Sequence, residues 1–308
     1  MSNAFVQQEA VQKLLREGAG LNVPGGNERF KAIVHRLLEN ICTLIDDYNV
    51  TEEEFWHAVN YLHELGGRQE AALLAAGLGL EHFLDLRQDA IDAAARRETG
   101  TPRTIEGPLY VANAPLADSH ARMDDGTDAG EVMWLHGQVK DNQGQPIANA
   151  IVDIWHANTL GNYSFFDKSQ SDYNLRRRIR TGTDGRYSVR SIMPSGYGCP
   201  PDGPTQKLLD RLGRHGNRPA HIHFFVSAPG YKHLTSQINL SGDKYLWDDF
   251  AFATREELIA DPVKITDGTV ARERDIPGPH TEVRFDFVLV TAAGSADEER
   301  GKRARVKE

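Results

Sequence analysis

The sequence predicts an α+β protein in which an all-helical N-terminal domain precedes a C-terminal β-sandwich. Two observations carry that prediction. Up to residue 101 the apolar residues recur every three or four positions, the period of helices with one apolar stripe. From residue 102 they alternate in short runs between turn-forming residues, the period of half-buried strands. The expected divisions are a helical domain over 1–101, a β-sandwich domain over 102–291, and a disordered, patternless tail over 292–308.

The helices follow in order. Val6 to Arg16 is the first, and the stripe Phe30, Ile33, Val34, Leu37, Leu38, Ile41, Leu44, Ile45 and Tyr48 marks a longer second. Thr51 and Glu54 have capping-box spacing, so a third helix starts there, carries Phe55, Val59 and Leu62, and stops at Gly66-Gly67. Helical patterns then cover Ala71 to Ala76 and Phe83 to Arg97, before Pro102. So few helices leave apolar stripes uncovered, and a second subunit is expected to cover them.

Six runs read as strands: Val132 to Val139, Ala150 to His156, Arg186 to Ile192, Ala220 to Ser227, Thr235 to Leu240 and Thr281 to Val290. Asn142 to Pro146 and Asp184-Gly185 are turns between them. The run Arg176-Arg177-Arg178-Ile179-Arg180 reads as a solvated charged face.

Composition narrows the function. A net charge of −9 excludes a nucleic-acid surface, which needs a basic field. The chain has no apolar run of membrane-spanning length, hence no integral membrane segment, and no charged-then-apolar leader, so a cytoplasmic location is expected. Cys42 and Cys199 cannot build a disulfide framework, which fits a reducing compartment.

The chemistry is concentrated in four residues. His221 and His223 lie two apart in a strand, which puts both imidazoles on one face, where they can share a metal ion. Tyr163 in Leu-Gly-Asn-Tyr-Ser and Tyr197 in Ser-Gly-Tyr-Gly each follow a strand, with a glycine that lets the backbone aim the phenol into a cleft. A phenol titrates near ~10 and binds only a cation strong enough to deprotonate it. Two phenolates and two imidazoles suit ferric iron better than zinc. A β-sandwich binding module has no reason to gather these residues, and a zinc or ferrous centre wants a carboxylate or third histidine.

Five longer blocks carry a resemblance: Gly-Thr-Pro-Arg-Thr-Ile-Glu-Gly-Pro-Leu-Tyr (100–110), Asp-Ile-Trp-His-Ala-Asn (153–158), Leu-Gly-Asn-Tyr-Ser-Phe-Phe-Asp (160–167), Asp-Arg-Leu-Gly-Arg-His-Gly-Asn-Arg-Pro-Ala-His-Ile-His (210–223) and Tyr-Leu-Trp-Asp-Asp-Phe-Ala-Phe-Ala-Thr-Arg (245–255). On these the chain resembles the intradiol ring-cleaving dioxygenases over nearly its whole length. The resemblance implies a catalytic role for the sandwich domain and Fe(III) held by Tyr163, Tyr197, His221 and His223. Tyr197 and His223 would be the axial pair, and Tyr163 and His221, with a hydroxide, the equatorial set. Arg218 would match the family's active-site arginine and Gln237 its glutamine, with Tyr197 also acting as a base. Leu73, Ala76, Ile105, Pro108, Leu109, Phe250 and Ala251 would line the substrate pocket, Ala76 standing where some relatives carry proline. The implied reaction, in aromatic-compound degradation, is cleavage of catechol by dioxygen to cis,cis-muconate without an organic cofactor, chlorocatechol or hydroxyquinol being alternative substrates. The implied assembly is a homodimer with phospholipid between helical dimerisation domains.

Overall fold

The computed structural model describes residues 5–294, so almost all of the expected tail lies outside the described residues. Contacts divide the chain into two units, one up to Gly67 and one from Arg68. The change of sequence period falls at 101–102, whereas the units part at 67–68.

The first unit holds α1 (Glu9–Gly18), α2 (Glu28–Asp47) and α3 (Glu52–Gly67). Asn27 caps α2 by accepting from the Phe30 amide at 2.9 Å. The capping box forms at α3: the Glu54 carboxylate accepts from the Thr51 amide at 2.8 Å and the Thr51 hydroxyl accepts from the Glu54 amide at 3.2 Å. No residue of α2 is buried, and Phe30, Ile33, Leu37, Ile41, Leu44 and Tyr48 are all exposed. Val34, Leu38 and Ile45 of the same stripe are half-buried, so among the described residues the stripe is covered only in part.

The second unit begins with α4 (Ala71–Gly77) and α5 (Leu80–Ala94). These helices belong with the strands because α4 packs on α6 (Pro204–Arg211) and puts Leu73 and Ala76 in one apolar cluster with Leu209 and Phe250.

Two six-stranded sheets follow. The first has the order β1 (Leu116–Asp118), β5 (Arg176–Arg180), β4 (Ile151–His156), β9 (His221–Ser227), β10 (Leu234–Leu240), β11 (Ile259–Ala260). The second has the order β12 (Val263–Ile265), β13 (His280–Arg284), β3 (Val132–Asp141), β6 (Arg186–Ile192), β2 (His120–Arg122), with β14 (Phe287–Leu289) also on β3. Their facing sides form one core, Met133, Leu135 and Val189 of the second sheet meeting Ile154, Ile222 and Phe224 of the first. The chain is thus α+β with a C-terminal sandwich. A separate two-stranded ribbon pairs β7 (Tyr197–Gly198) with β8 (Asn217–Arg218).

Two expectations need correction. The run expected over Thr281 to Val290 breaks into β13 and β14, because the chain at Phe285 crosses over Gly137, where a Cβ would sit 1.6 Å from the Phe285 carbonyl oxygen. The arginine run is no solvated face: it is β5, hydrogen-bonded between β1 and β4, and Arg176 is 1% exposed. Ile179 of this strand enters the inter-sheet core, whereas Arg176 lies on the outer face, buried under the loop that carries Tyr163 and donating to Ser164 Oγ at 3.0 Å.

Candidate metal centre

Alternation along β9 decides where the site lies. Ile222, Phe224 and Val226 enter the inter-sheet core, so His221, His223 and Phe225 project from the outer face of the first sheet. Cross-strand pairing brings neighbours onto that face: Gln237 and Asn239 of β10 lie opposite His223 and His221, and Trp155 of β4 opposite His223. The loop after β4 and the ribbon then carry Tyr163 and Tyr197 over the histidines.

The four side chains meet at one point. His221 Nε2 lies 3.1 Å from His223 Nε2, 3.4 Å from the Tyr197 hydroxyl and 3.5 Å from the Tyr163 hydroxyl. Donors bound to one ion at about 2.0–2.1 Å, with angles of roughly 90–115°, stand about 2.9–3.5 Å apart, so these separations fit a shared metal ion. Among the described residues no three His, Cys, Asp or Glu side chains are placed to hold a metal, so a metal held here would need the tyrosines as well.

The surroundings prepare these groups as neutral donors. Pro219 O lies 2.6 Å from His221 Nδ1 and accepts its proton, which leaves the Nε2 lone pair facing the centre. Burial, helped by the nearby Arg218 cation, pushes the His221 pKa down to about 3. Burial, then His221, holds His223 well below the usual imidazole range. The His223 ring is stacked on Trp155 at 5.0 Å with planes 5° apart, which fixes its direction although Nδ1 has no hydrogen-bond partner among the described residues. Burial, with Tyr197 adding to it, raises Tyr163 well above the usual phenol range, so Tyr163 ionises only against a strong cation. The two tyrosines differ in exposure: Tyr163 is 3% exposed, whereas Tyr197 on its ribbon is half-buried.

Arg218 and Gln237 join the same group. Arg218 Nη1 stands 2.9 Å from His221 Nε2, at the edge of the centre, and Nη2 donates to Gln237 Oε1 at 2.8 Å. Leu73, Ala76, Ile105, Phe250 and Ala251 pack together with Cys199, Leu209 and Ala253. Leu109 sits apart from them, against Trp155, Tyr163 and Phe225. Pro108 is exposed and belongs to neither cluster. Gly107 comes close to the centre, since a Cβ there would lie 3.4 Å from His223 Cε1.

Three neighbours escaped the sequence reading. Asp249 forms a buried pair with Arg218, Trp155 backs His223, and the Arg176 guanidinium lies 5.8 Å from the Tyr163 ring centre. Asp249 and Trp155 stand in quoted blocks, but no local period marks them.

Comparisons with known proteins agree with this geometry. A family model described as "Dioxygenase" matches residues 105–291, and one described as "Catechol dioxygenase N terminus" matches residues 27–96. The chain belongs to the intradiol dioxygenase family. Catechol 1,2-dioxygenase of Acinetobacter baylyi is 53% identical over 299 residues, 96% of each chain. The crystal structure of catechol 1,2-dioxygenase from Pseudomonas arvilla C-1 superposes with a TM-score of 0.93 at 58% identity, over 96% of each chain. Chlorocatechol 1,2-dioxygenase of Cupriavidus pinatubonensis is more distant, 36% identical over 236 residues, 76% of this chain and 88% of that one. Intradiol dioxygenases are iron-dependent, and the oxygen- and nitrogen-donor centre of this member fits iron.

Within this intradiol dioxygenase, Gly161 couples the two tyrosine loops. Its φ is +80° and a Cβ there would lie 2.6 Å from Tyr197 Cβ. Gly161→Ala is expected to cost about 1–2 kcal/mol in backbone strain alone and to displace Tyr197. A thermal melt and the bound-iron stoichiometry check this; unchanged values in both would show that the loop does not set the ribbon.

Proposed function

We propose that this chain is a catechol 1,2-dioxygenase that binds one ferric ion through Tyr163, Tyr197, His221 and His223. It cleaves catechol between the two hydroxyl-bearing carbons, adding both atoms of dioxygen to give cis,cis-muconate. The observation that carries the reading is the meeting of two phenols and two imidazoles beside a buried arginine. A bound ferric ion supplies the Lewis acidity that ionises its ligands and catechol and prepares the ring for oxygen.

The protein's own groups do the rest. Tyr197, half-buried on a two-residue strand, accepts a catechol proton and gives way to the substrate. Tyr163 stays fixed behind it. Arg218 stabilises negative charge as it grows on the substrate, and Gln237 orients Arg218. Leu73, Ala76, Ile105, Phe250 and Ala251 make the apolar wall that holds the ring and excludes water, with Leu109 packed beside Tyr163 and Pro108 exposed. The greater distance of the chlorocatechol enzyme favours unsubstituted catechol over chlorocatechol.

Iron-loaded protein given catechol is expected to consume one dioxygen per catechol and to form muconate, with activity lost to a ferric chelator and restored by iron. A yellow extradiol aldehyde, or no ring opening by iron-replete protein, would refute the assignment.

The partly uncovered stripe on α2 supports a C2 homodimer with phospholipid between helical domains. Light scattering is expected to give twice the chain mass at micromolar concentration, and extracts to contain phospholipid; a monomer, or lipid-free extracts, would end the corresponding half. No helix among the described residues is long and apolar enough to cross a membrane. The proposal includes a cytoplasmic location, supported by the free thiols of Cys42 and Cys199.

A further inference from the structure

Arg218 carries four rotatable side-chain bonds, so a role in catalysis needs something that holds its guanidinium still. Asp249 does so. The two side chains are 4% and 1% exposed, a pair enclosed by protein. Asp249 Oδ1 accepts from Arg218 Nε at 3.2 Å and Oδ2 accepts from Nη2 at 3.1 Å, the two-point geometry that fixes the guanidinium plane. The opposite edge is then free to point Nη1 at the centre.

A second arm leaves the same carboxylate. Oδ1 also accepts from the Ala251 amide at 3.0 Å, which curls the chain so that Phe250 and Ala251 enter the apolar cluster. One buried side chain therefore holds both the cation and the adjoining wall.

We propose that Asp249 is a positioning residue of the reaction, aiming Arg218 through its two-point contact and setting the Phe250–Ala251 wall through its contact with the Ala251 amide. The inference rests on the reading of Arg218 as the charge-stabilising group.

The arms separate by substitution. Asp249→Asn keeps Oδ1 for the Ala251 amide but turns an NH2 group against the Arg218 Nη2 donor, so it breaks chiefly the arginine arm. Asp249→Ala removes both. Asp249→Asn is expected to slow catechol turnover by about 10- to 100-fold, somewhat less than deleting a charge-stabilising group outright. Its iron content, visible band and anaerobic catechol affinity should stay within about threefold of wild type, because the loss falls in the transition state. The rate ratio of 4-methylcatechol to catechol should hold in Asp249→Asn and shift in Asp249→Ala.

A double-mutant cycle identifies the route. In an Arg218→Ala background, Asp249→Asn should change turnover by less than about threefold, since the group it acts through is gone. Asp249→Ser, scored in the same way, replaces Asp249→Asn if the latter does not fold. A wild-type rate in Asp249→Asn, or an equal slowing in both backgrounds, overturns the inference while leaving Arg218 its role. A wild-type rate in Arg218→Ala removes the reading of Arg218 and the inference with it.

Discussion

Tyr163→Phe is expected to change the visible spectrum of both the free and the catechol-bound enzyme, whereas Tyr197→Phe is expected to change mainly the free one. Tyr163 is nearly inaccessible, its ring is in edge contact with Tyr197 at 5.5 Å, and the Arg176 guanidinium lies over its face. Phenylalanine keeps those packing contacts and removes only the oxygen, so the fold should survive while one of four donors is lost. Tyr197 stands on a two-residue ribbon, where displacement by catechol disturbs little else. Its loss should nonetheless lower turnover by about 10²–10⁴-fold, the usual contribution of a positioned acid or base. Absorption spectra with and without anaerobic catechol, beside turnover and iron content, check the pair. The opposite pattern would exchange the roles of the tyrosines. No spectral change in either variant would mean that neither phenol binds the metal, and the ferric reading would fall.

Arg218→Ala is expected to damage stability as well as turnover. Turnover should fall by roughly 10²–10³-fold with loss of a preorganised charge-stabilising donor. The variant also strands the Asp249 carboxylate, whose burial opposes its charge until Arg218 outweighs that cost and holds its pKa low. Breaking a buried pair from one side costs about 3–5 kcal/mol, several degrees or more in Tm. Arg218→Met with Asp249→Leu removes both charges and should melt above Arg218→Ala, while remaining slow. Calorimetry on iron-loaded protein checks this. A double variant no more stable than the single would show that the pair is not the source of the loss.

Legibility followed the range of the physical signal. The capping box at Thr51 and Glu54, the shared face of His221 and His223, and the stripe on α2 were readable because each follows from a repeat of two to four residues. Tyr163 and Tyr197 stand out by chemistry and glycine neighbours, which also suggest ferric iron, whereas their axial and equatorial roles come only with the family resemblance. Of the seven residues expected to line the pocket, five pack as one cluster, while Leu109 and Pro108 stand elsewhere. The dimension that failed was charge. An arginine run looks solvated in a one-dimensional sequence, and only the fold of the loop carrying Tyr163 and Ser164 over β5 buries Arg176.

By itself the sequence determined the order of helices before strands and the strand face that His221 and His223 share, because side-chain direction along helix or strand is set by backbone geometry within a few residues. The tertiary structure decided the rest. Asp249 meets Arg218 across 31 positions of sequence, Trp155 reaches His223 only through the register of β4 with β9, and α4 joins the catalytic unit only by packing on α6. Contacts between distant segments depend on strand register and helix docking, which no local periodicity encodes.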